Sequence, residues 1–235
     1  MRGIRILSRY IRNSDSEPIY LMVGLKLIPW RKQENKMVAI LTGDIINSRK
    51  GEVIDWIDRL KNVLNHYGST PQKWEIFRGD SFQLMTEPNE ALLAAIHIKA
   101  VIKQTKFQDV RIAIGIGKET YTANRISESN GDAYMKSGEM FERLKKQTLA
   151  IKTESPILDE PINLMLSLAL LTANNWSSTV AEIIRTYLEN PNNHQKDIAQ
   201  ILNKSQSSIS EALKRGGYEE IINLNNYYKD QIKSL

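Results

Sequence analysis

The chain has 235 residues, enough for one large domain or two small ones, and its 41% apolar and 25% charged residues are typical of a soluble globular protein. It contains no cysteine, which excludes disulfides, thiolate zinc sites and cysteine nucleophiles and favours a reducing, cytoplasmic location. The net charge of +5 is confined to residues 1–36, where eight Lys and Arg oppose three Asp and Glu, and the remainder carries 24 of each sign. The basic balance therefore does not indicate that the body of the protein binds nucleic acid.

Residues 1–36 are interpreted as a basic extension that is either disordered or not part of the native protein. The opening RGIRILSRYIR precedes an apolar stretch, Pro18 to Trp30, that contains Lys26 and is shorter than the roughly 20 residues needed to span a bilayer. No small-x-small cleavage site follows, which argues against a secretory signal. A basic segment on a membrane surface is the alternative. We favour a compact protein that begins at Met37, and we expect no membrane span.

The next part of the chain, residues 37–152, alternates between strand and helix patterns and is called the head. Its sequence predicts a strand, a helix, a hairpin of two strands, a second helix, a third strand region and a third helix, at residues 37–44, 51–67, 73–86, 89–104, 110–117 and 131–147. This order is typical of a split βαβ unit, in which an antiparallel sheet carries helices on one face. We therefore predict an α+β fold with a ferredoxin-like head.

The remaining residues, 153–235, are called the tail and show no convincing strand pattern. A connector rich in proline and acidic residues, 153–161, leads into a strongly apolar run from Leu164 to Leu171 and an amphipathic segment at 180–188. The sequence predicts an all-α second domain over 153–235. The apolar run is interpreted either as a dimer contact or as part of the core.

Within the tail, residues 195–215 resemble the helix-turn-helix of many bacterial transcriptional regulators. Residues 196–202 predict a short helix, Asn203 and Lys204 a turn, and Ser205 the cap of a second helix that ends at Lys214 or Arg215. The second helix would offer these side chains to DNA, with Gln206 facing a base and the serines facing phosphates: Ser205, Gln206, Ser207, Ser210 and Lys214. The alternative is a packing or protein-contact role.

The charge of the tail bears on DNA binding, because affinity for DNA comes mainly from neutralising phosphates. From Asn190 to the end there are six Lys and Arg against five Asp and Glu. A nearly neutral domain binds DNA weakly as a monomer, so we predict a homodimer.

In the head, two carboxylates are predicted to meet at one edge of the sheet. Asp44 ends the first predicted strand, and Asp80 lies in the hairpin that follows. Facing carboxylates repel unless a cation lies between them, and such oxygen ligands suit Mg²⁺ or Mn²⁺ bound with a nucleoside triphosphate. The predicted nucleotide contacts are Asn47, Ser48, Arg49 and Arg78. The alternative is that Asp44 is a turn residue at the end of a strand and Asp80 a hairpin residue.

These motifs resemble those of known families. The carboxylate after strand one, the RGDSF hairpin and the later IAIGIG strand look like the palm of class III nucleotide cyclases and GGDEF diguanylate cyclases. That resemblance implies that Asp44 and Asp80 bind metal and that the carbonyl of Ile45 is a further ligand. The chain departs from the GGDEF pattern at Arg78, where a glycine is usual, and at Ser81, where an acidic residue is usual.

A closer resemblance is to the SatD family of bacteria. It rests on LTGDIINSRK, RGDSFQL, RIAIGIG and NGDAYMKSGEMFERLK in this order, followed by the helix-turn-helix pattern. It implies a cytoplasmic bacterial protein. The leading hypothesis is a regulator in which a head that binds nucleotide and metal is joined to a DNA-binding tail. The alternative is a metal-dependent nucleotidyl cyclase or transferase whose tail is a regulatory or partner-binding module.

Overall fold

The computed structural model describes residues 19–23, 26–30 and 36–235. Strands β1 (Ile19–Val23) and β2 (Lys26–Trp30) pair antiparallel, with Ile19 opposite Trp30. They belong to one compact unit, residues 1–34, and residues 35–235 form another. The interpretation of residues 1–36 as a disordered or non-native extension falls largely outside the described residues and stays a prediction.

The head contains a six-stranded sheet and three α-helices within the described residues. In chain order they are β3 (Met37–Ile46), α1 (Ile54–Tyr67), β4 (Trp74–Phe77), β5 (Ser81–Thr86), α2 (Ala91–Ile102), β6 (Asp109–Tyr121), β7 (Asn130–Gly131), α3 (Asp132–Arg143) and β8 (Leu149–Lys152).

The strand order confirms the predicted split βαβ arrangement. The order is β4-β5-β3-β6, all antiparallel, so the first strand of the head lies between the hairpin and the fourth strand. Strand β6 is long enough to pair twice more, in parallel with β8 near its start and antiparallel with β7 near its end. The sequence missed β7 and β8, because each is only two to four residues long. The α+β fold is thus confirmed.

The prediction that all head helices lie on one face of the sheet was wrong. Alternate residues of β3 face opposite ways: Leu41 packs in the core with α1 and α2, whereas Ile40 packs with Ala133 of α3. Helix α3 lies on the second face because β6 has glycines beneath it. A Cβ atom on Gly115 would stand 2.2 Å from the carbonyl oxygen of Ala133. The glycines of IAIGIG therefore permit the close approach of a helix.

The tail is helical throughout, as predicted. Its helices are α4 (Pro156–Ala173), α5 (Ser178–Glu189), α6 (Gln195–Ile201), α7 (Gln206–Gly216) and α8 (Tyr218–Ile232). They share one hydrophobic core with the head: Ile98 of α2 and Ile184 of α5 belong to the same cluster. The Tyr228 hydroxyl of α8 also donates to the carbonyl of Pro88 in the head. The hydrophobic core is continuous across the boundary predicted between residues 152 and 153. The division into two domains at that point stays a prediction.

Helix α4 covers the edge of the sheet. The side-chain amide of Asn163 accepts from the backbone N–H of Ile151 and donates to its carbonyl, both at 2.9 Å, so it occupies the place of a further strand beside β8. Helix α4 is long and apolar enough to cross a membrane by length and composition alone. Here its residues Leu158, Ile162, Leu166 and Leu170 are buried in the shared core.

Candidate functional site

The two predicted carboxylates lie at the same end of the sheet, on neighbouring strands. Asp44 stands opposite Ser81 of β5 on one side and Arg111 of β6 on the other. Strand β3 continues two residues further, to Ile46, so the interpretation of Asp44 as a turn residue was wrong. The glycine before it is required by packing, because a Cβ atom on Gly43 would stand 2.5 Å from the ring of Phe82. We call Asp44, Asp80, Arg111 and the loop 47–50 the carboxylate edge.

Both carboxylate oxygens of Asp44 are bound by Arg111. The Nε atom donates to Oδ1 at 3.0 Å and Nη2 donates to Oδ2 at 2.5 Å, which is the bidentate geometry of a strong ion pair. Hydrogen bonding to Asp44 raises the pKa of Arg111 above its ordinary value. The guanidinium also lies over the ring of Phe141 in α3, 5.4 Å from its centroid. The pair is half-buried, with Asp44 21% and Arg111 33% exposed.

Asp80 is held by different partners. It follows Arg78 and Gly79, whose positive φ angles of 54° and 92° close the hairpin. Its backbone carbonyl accepts from the N–H of Ile45 at 3.1 Å, and its carboxylate accepts from the Ser48 hydroxyl at 2.6 Å. The predicted role in the hairpin is therefore confirmed, and Ser48 is a hydrogen-bond donor to Asp80.

The loop after β3 is fixed by the segment that precedes β6. Asn47, which has a φ angle of 59°, donates through its side chain to the carbonyl of Phe107 at 3.1 Å, and Gln108 donates to the carbonyl of Lys50 at 2.5 Å. Beside this loop lies an open cleft of about 650 Å³, with Lys103 and Lys106 in its lining. The cleft runs to the start of α5 in the tail. Arg49 and Arg78 have exposed side chains at the same end of the sheet.

The described residues do not form a ready metal site. Among them, no cluster of three or more His, Asp or Glu side chains lies close enough to hold a metal ion. Arg111 engages both oxygens of Asp44, and its charge opposes a second cation there. As placed, Asp44, Ile45 and Asp80 do not fit Mg²⁺ or Mn²⁺. The metal prediction would require Arg111 to leave Asp44, and it stays a prediction.

A second ion pair, which the sequence did not predict, lies close to the carboxylate edge. Asp109, which stands opposite Ile46, accepts from Lys99 of α2 at 2.7 Å, and Lys99 is only 2% exposed. Burial lowers the pKa of Lys99, and the carboxylate of Asp109 acts against that shift. Lys99 also donates to Thr148, whose hydroxyl donates to Asn174. This buried network joins the sheet to the end of α4.

The second candidate site is the pair of helices α6 and α7. Asn203 has a positive φ angle of 49°, as the predicted turn requires. Ser205 caps α7, because its hydroxyl accepts from the backbone N–H of Ser208 at 3.2 Å. Ile209 and Ala212 are buried against the rest of the tail. The local geometry of helix, turn and capped helix agrees with the sequence expectation.

The inner side of helix α7 is packed closely against the rest of the tail. A Cβ atom on Gly216 would stand 2.7 Å from Cδ1 of Ile184, so α5 and α7 cross in close contact. The indole of Trp176 donates to the carbonyl of Gly216 at 2.9 Å. On the opposite side are the predicted DNA contacts, all exposed, which we call the outer face of α7: Ser205, Gln206, Ser207, Ser210 and Lys214.

The members of this face differ in their partners. The Ser205 hydroxyl lies 3.0 Å from that of Ser207 and 2.8 Å from that of Ser208. For Gln206, Ser210 and Lys214, residues 36–235 provide no hydrogen-bond or ion-pair partner for the side chain. The structure therefore assigns Ser205 to the cap, with Ser207 beside it, and leaves the side chains of Gln206, Ser210 and Lys214 in solvent.

Comparison with known proteins identifies the family but no curated relative. No curated protein matches the chain in sequence. The sequence model of the SatD family matches residues 37–231, which include the carboxylate edge, the shared core and the outer face of α7. This match covers most of the head and tail together, and the chain therefore belongs to the SatD family.

Proposed function

We propose that this protein is a DNA-binding regulator and that α7 is its recognition helix. The observation that carries the proposal is the capped α7, closely packed against α5, on whose outer face Gln206, Ser210 and Lys214 are exposed and have no partner within residues 36–235. A recognition helix needs both properties, because its backbone must be fixed while its side chains remain free to reach base edges. A cytoplasmic location in a bacterium is part of the same proposal.

The residues of the outer face have different expected roles. Gln206 lies in the first turn of α7, where recognition helices contact bases, and its amide can pair with both N6 and N7 of an adenine. Ser207, Ser210 and Lys214 follow at helical spacing and are suited to phosphate oxygens. Ser205 contributes mainly by fixing the start of the helix.

The surrounding charge predicts modest affinity for DNA that lacks the target site. Lys204, in the turn, lies 3.3 Å from Glu182 of α5, so part of its charge is already neutralised. Each lysine that contacts a phosphate adds about one unit to the salt dependence of binding. We therefore expect a shallow salt dependence, with specificity resting on Gln206.

The test is fluorescence anisotropy with labelled fragments of the source genome, first to select a bound fragment and then to compare variants. Gln206→Ala combined with Lys214→Ala should weaken binding at least about tenfold, since one good base contact is worth about 1–3 kcal/mol. The control is Asn226→Ala combined with Lys233→Ala, which removes an exposed amide from α8 and the exposed lysine that follows it, 2.8 Å from Asp230. Unchanged binding in the α7 variant, or equal loss in both variants, would refute the proposal.

A second function is proposed for the cleft beside the carboxylate edge: binding of a nucleotide through its phosphates. The specific support is the cleft of about 650 Å³ that begins at Ile46 and Asn47 and is lined by Lys103 and Lys106. Lys103 is already paired with Asp109, 3.6 Å away, so the exposed cations that would attract a phosphate are Lys106 in the cleft and Arg49 and Arg78 at the same end of the sheet. Because the cleft also touches Ser177 and Ser178 at the start of α5, a bound nucleotide would contact the helix that supports α7.

Thermal unfolding tests this second function. ATP or GTP at 100 times its dissociation constant should stabilise the protein by about 2.7 kcal/mol. Lys106→Ala should reduce that stabilisation, whereas Lys61→Ala, an exposed lysine on α1, should not. The absence of any shift with either nucleotide would rule out this function.

The same samples test the metal and the enzyme alternative. Addition of Mg²⁺ or Mn²⁺ should enlarge the shift only if Asp44 becomes a ligand, and that enlargement should then disappear in Asp44→Asn. Formation of a cyclic or transferred nucleotide product that depends on Asp44 would favour the cyclase or transferase over the regulator. We do not expect such a product, because Arg111 holds both oxygens of Asp44.

A further inference from the structure

Helix α4 has an apolar face that nothing covers within the described residues. Ile157, Leu164, Leu168 and Leu171 are 88%, 64%, 60% and 71% exposed, and we call them the apolar stripe. The opposite side of the same helix is buried in the core. A helix that is apolar all round is usually enclosed on every side, so the stripe indicates a missing contact.

The stripe has the geometry of a helix-helix contact. Its residues are separated by seven, four and three positions, which places them on one line along α4. At 1.5 Å per residue this line is about 21 Å long. Pro161, also exposed, lies on the same line between Ile157 and Leu164.

The charge around the stripe distinguishes between a membrane and a protein as its partner. Helices that lie on membranes carry Lys and Arg on their polar side. Between Lys152 and Arg185 the chain has no Lys or Arg, and the acidic residues Glu154, Asp159 and Glu160 lie near the start of α4. An anionic lipid surface would repel this end of the helix, so a protein surface is favoured.

The charge also favours a second copy of the chain packed antiparallel. From Pro161 to Ala181 the chain has no charged residue at all. In an antiparallel pair, the acidic end of one α4 faces the uncharged end of the other, whereas a parallel pair would place Glu160 against Glu160. A twofold contact must be complementary to itself. In the antiparallel register, Leu164 faces Leu168 and Pro161 faces Leu171 of the second copy, so apolar residues meet along the stripe.

The surface beside the stripe can extend this contact. A groove of about 640 Å³ lies between the start of α4 and the end of the chain, lined by Ile157, Leu158, Gln231 and Leu235 among others. In the antiparallel pair, the uncharged end of the second α4 lies at this groove. A stable dimer buries about 800 Å² on each copy, so a contact that extends beyond the stripe is needed.

We propose that the protein is a twofold dimer joined through the apolar stripe of α4, with the two helices antiparallel. This inference goes beyond the proposed DNA binding and does not depend on it. Such a dimer presents two copies of α7 related by a twofold axis, which is the arrangement that a palindromic site requires.

Sedimentation equilibrium of the full chain tests the proposal. The wild type should have twice the monomer mass of 26.9 kDa. Leu164→Glu combined with Leu168→Glu should give the monomer mass with an unchanged circular dichroism spectrum. The control is Tyr121→Glu combined with Met135→Glu, two residues that are 55% and 56% exposed outside the stripe, and it should remain dimeric. A monomeric wild type, or a dimer that survives the α4 substitutions, would overturn the proposal.

Cross-linking tests the register even if the charged variant fails to fold. The chain has no cysteine, so single cysteines can be placed without background. A mixture of Leu164→Cys and Leu168→Cys proteins should form disulfide dimers faster than either protein alone. Equal rates alone and mixed would contradict the antiparallel register. Sedimentation with phosphatidylserine vesicles, abolished by the glutamate substitutions, would assign the stripe to a membrane and also overturn the proposal.

DNA binding is a separate measurement. A monomeric α4 variant supports the dimer, and loss of DNA binding in the α7 variant supports the recognition helix. If the wild type is monomeric and the α7 substitutions still weaken binding, only the dimer is lost.

Discussion

The carboxylate edge and the outer face of α7 are both polar clusters, but they use their polar groups in opposite ways. At the carboxylate edge, Asp44 is bound by Arg111 and Asp80 by Ser48. On the outer face of α7, Gln206 and Lys214 have exposed side chains without partners in residues 36–235. A polar group that is satisfied within the fold contributes to stability, and one left in solvent is available to a ligand. Substitutions should therefore separate stability from binding in these two regions.

The largest expected effect is at Asp109, beside the carboxylate edge. Asp109→Ala should lower the free energy of unfolding by about 3–5 kcal/mol, because it leaves the buried ammonium of Lys99 without its carboxylate. Urea unfolding measures the change. The control is Asp58→Ala, whose carboxylate lies 4.0 Å from Lys61 with both side chains at least 50% exposed. The control should change stability by less than about 0.5 kcal/mol, and an equal cost at both positions would contradict the argument.

A smaller effect is expected within the carboxylate edge itself. Asp44→Asn should cost about 1–2 kcal/mol, because it removes the charge from a bidentate ion pair that is partly open to solvent. Asp80→Asn should cost less than about 0.5 kcal/mol, because its amide oxygen can still accept from Ser48. Urea unfolding of the two variants side by side measures the difference. If Asp80→Asn lowers the free energy of unfolding more than Asp44→Asn does, the ion pair between Asp44 and Arg111 is not the main stabilising interaction of this edge.

A pH-dependent effect is expected where the head meets the tail. The ring of His97 in α2 lies 2.9 Å from the Tyr67 hydroxyl and 3.2 Å from Glu189 of α5. Burial lowers the pKa of His97, although the hydrogen bond to Glu189 acts in the opposite direction, and His66 and Arg185 also disfavour its protonation. The unfolded chain therefore binds a proton more readily than the folded protein just below the ordinary histidine pKa of about 6.5.

The contribution of His97 to stability should accordingly be constant above about pH 6.5 and should fall as the pH drops below it, by at most about 1.4 kcal/mol per pH unit. Urea unfolding at pH 7.5 and 5.5 measures the loss. His97→Gln should reduce the difference between the two pH values, even if it lowers stability at both. A difference of the same size in the variant would assign the pH dependence to other groups.

The comparison also shows what the sequence can and cannot predict. In the tail, Asn203 and Ser205 were identified correctly because a left-handed turn and a helix cap depend on residues a few positions apart. In the head, the strand order followed from the order of the elements. The placement of α3 on the second face did not, although the glycines of β6 were a visible signal.

The ion-pair partners at and near the carboxylate edge could not be predicted from the sequence, because they come from distant parts of the chain. Arg111 is 67 residues from Asp44 in the chain, and the two meet only because β3 and β6 pair in one particular register. Lys99 stands in a helix otherwise made of alanine and aliphatic residues with one histidine, where spacing alone suggests a solvated side chain. Lys99 can be buried because Asp109, which belongs to another element, accepts a hydrogen bond from its ammonium group. Register and burial are decided by the whole fold, so a local motif cannot reveal whether its charges are already paired.

The smallest effect on stability is expected on the outer face of α7, where the effect on DNA binding should be largest. Gln206→Ala combined with Lys214→Ala should change the free energy of unfolding by less than about 0.5 kcal/mol, because both side chains are exposed and alanine favours the helix. Ser205→Ala, one residue before Gln206, should cost about 1 kcal/mol through loss of the cap.

Urea unfolding and DNA anisotropy on the same samples separate these roles. Ser205→Ala should lose stability and retain most of the discrimination between target and non-target DNA, because the base contact is assigned to Gln206. The double variant should retain stability and lose that discrimination. If the double variant is instead destabilised as much as Ser205→Ala, the outer face of α7 packs against something within the protein, and the contrast with the carboxylate edge disappears.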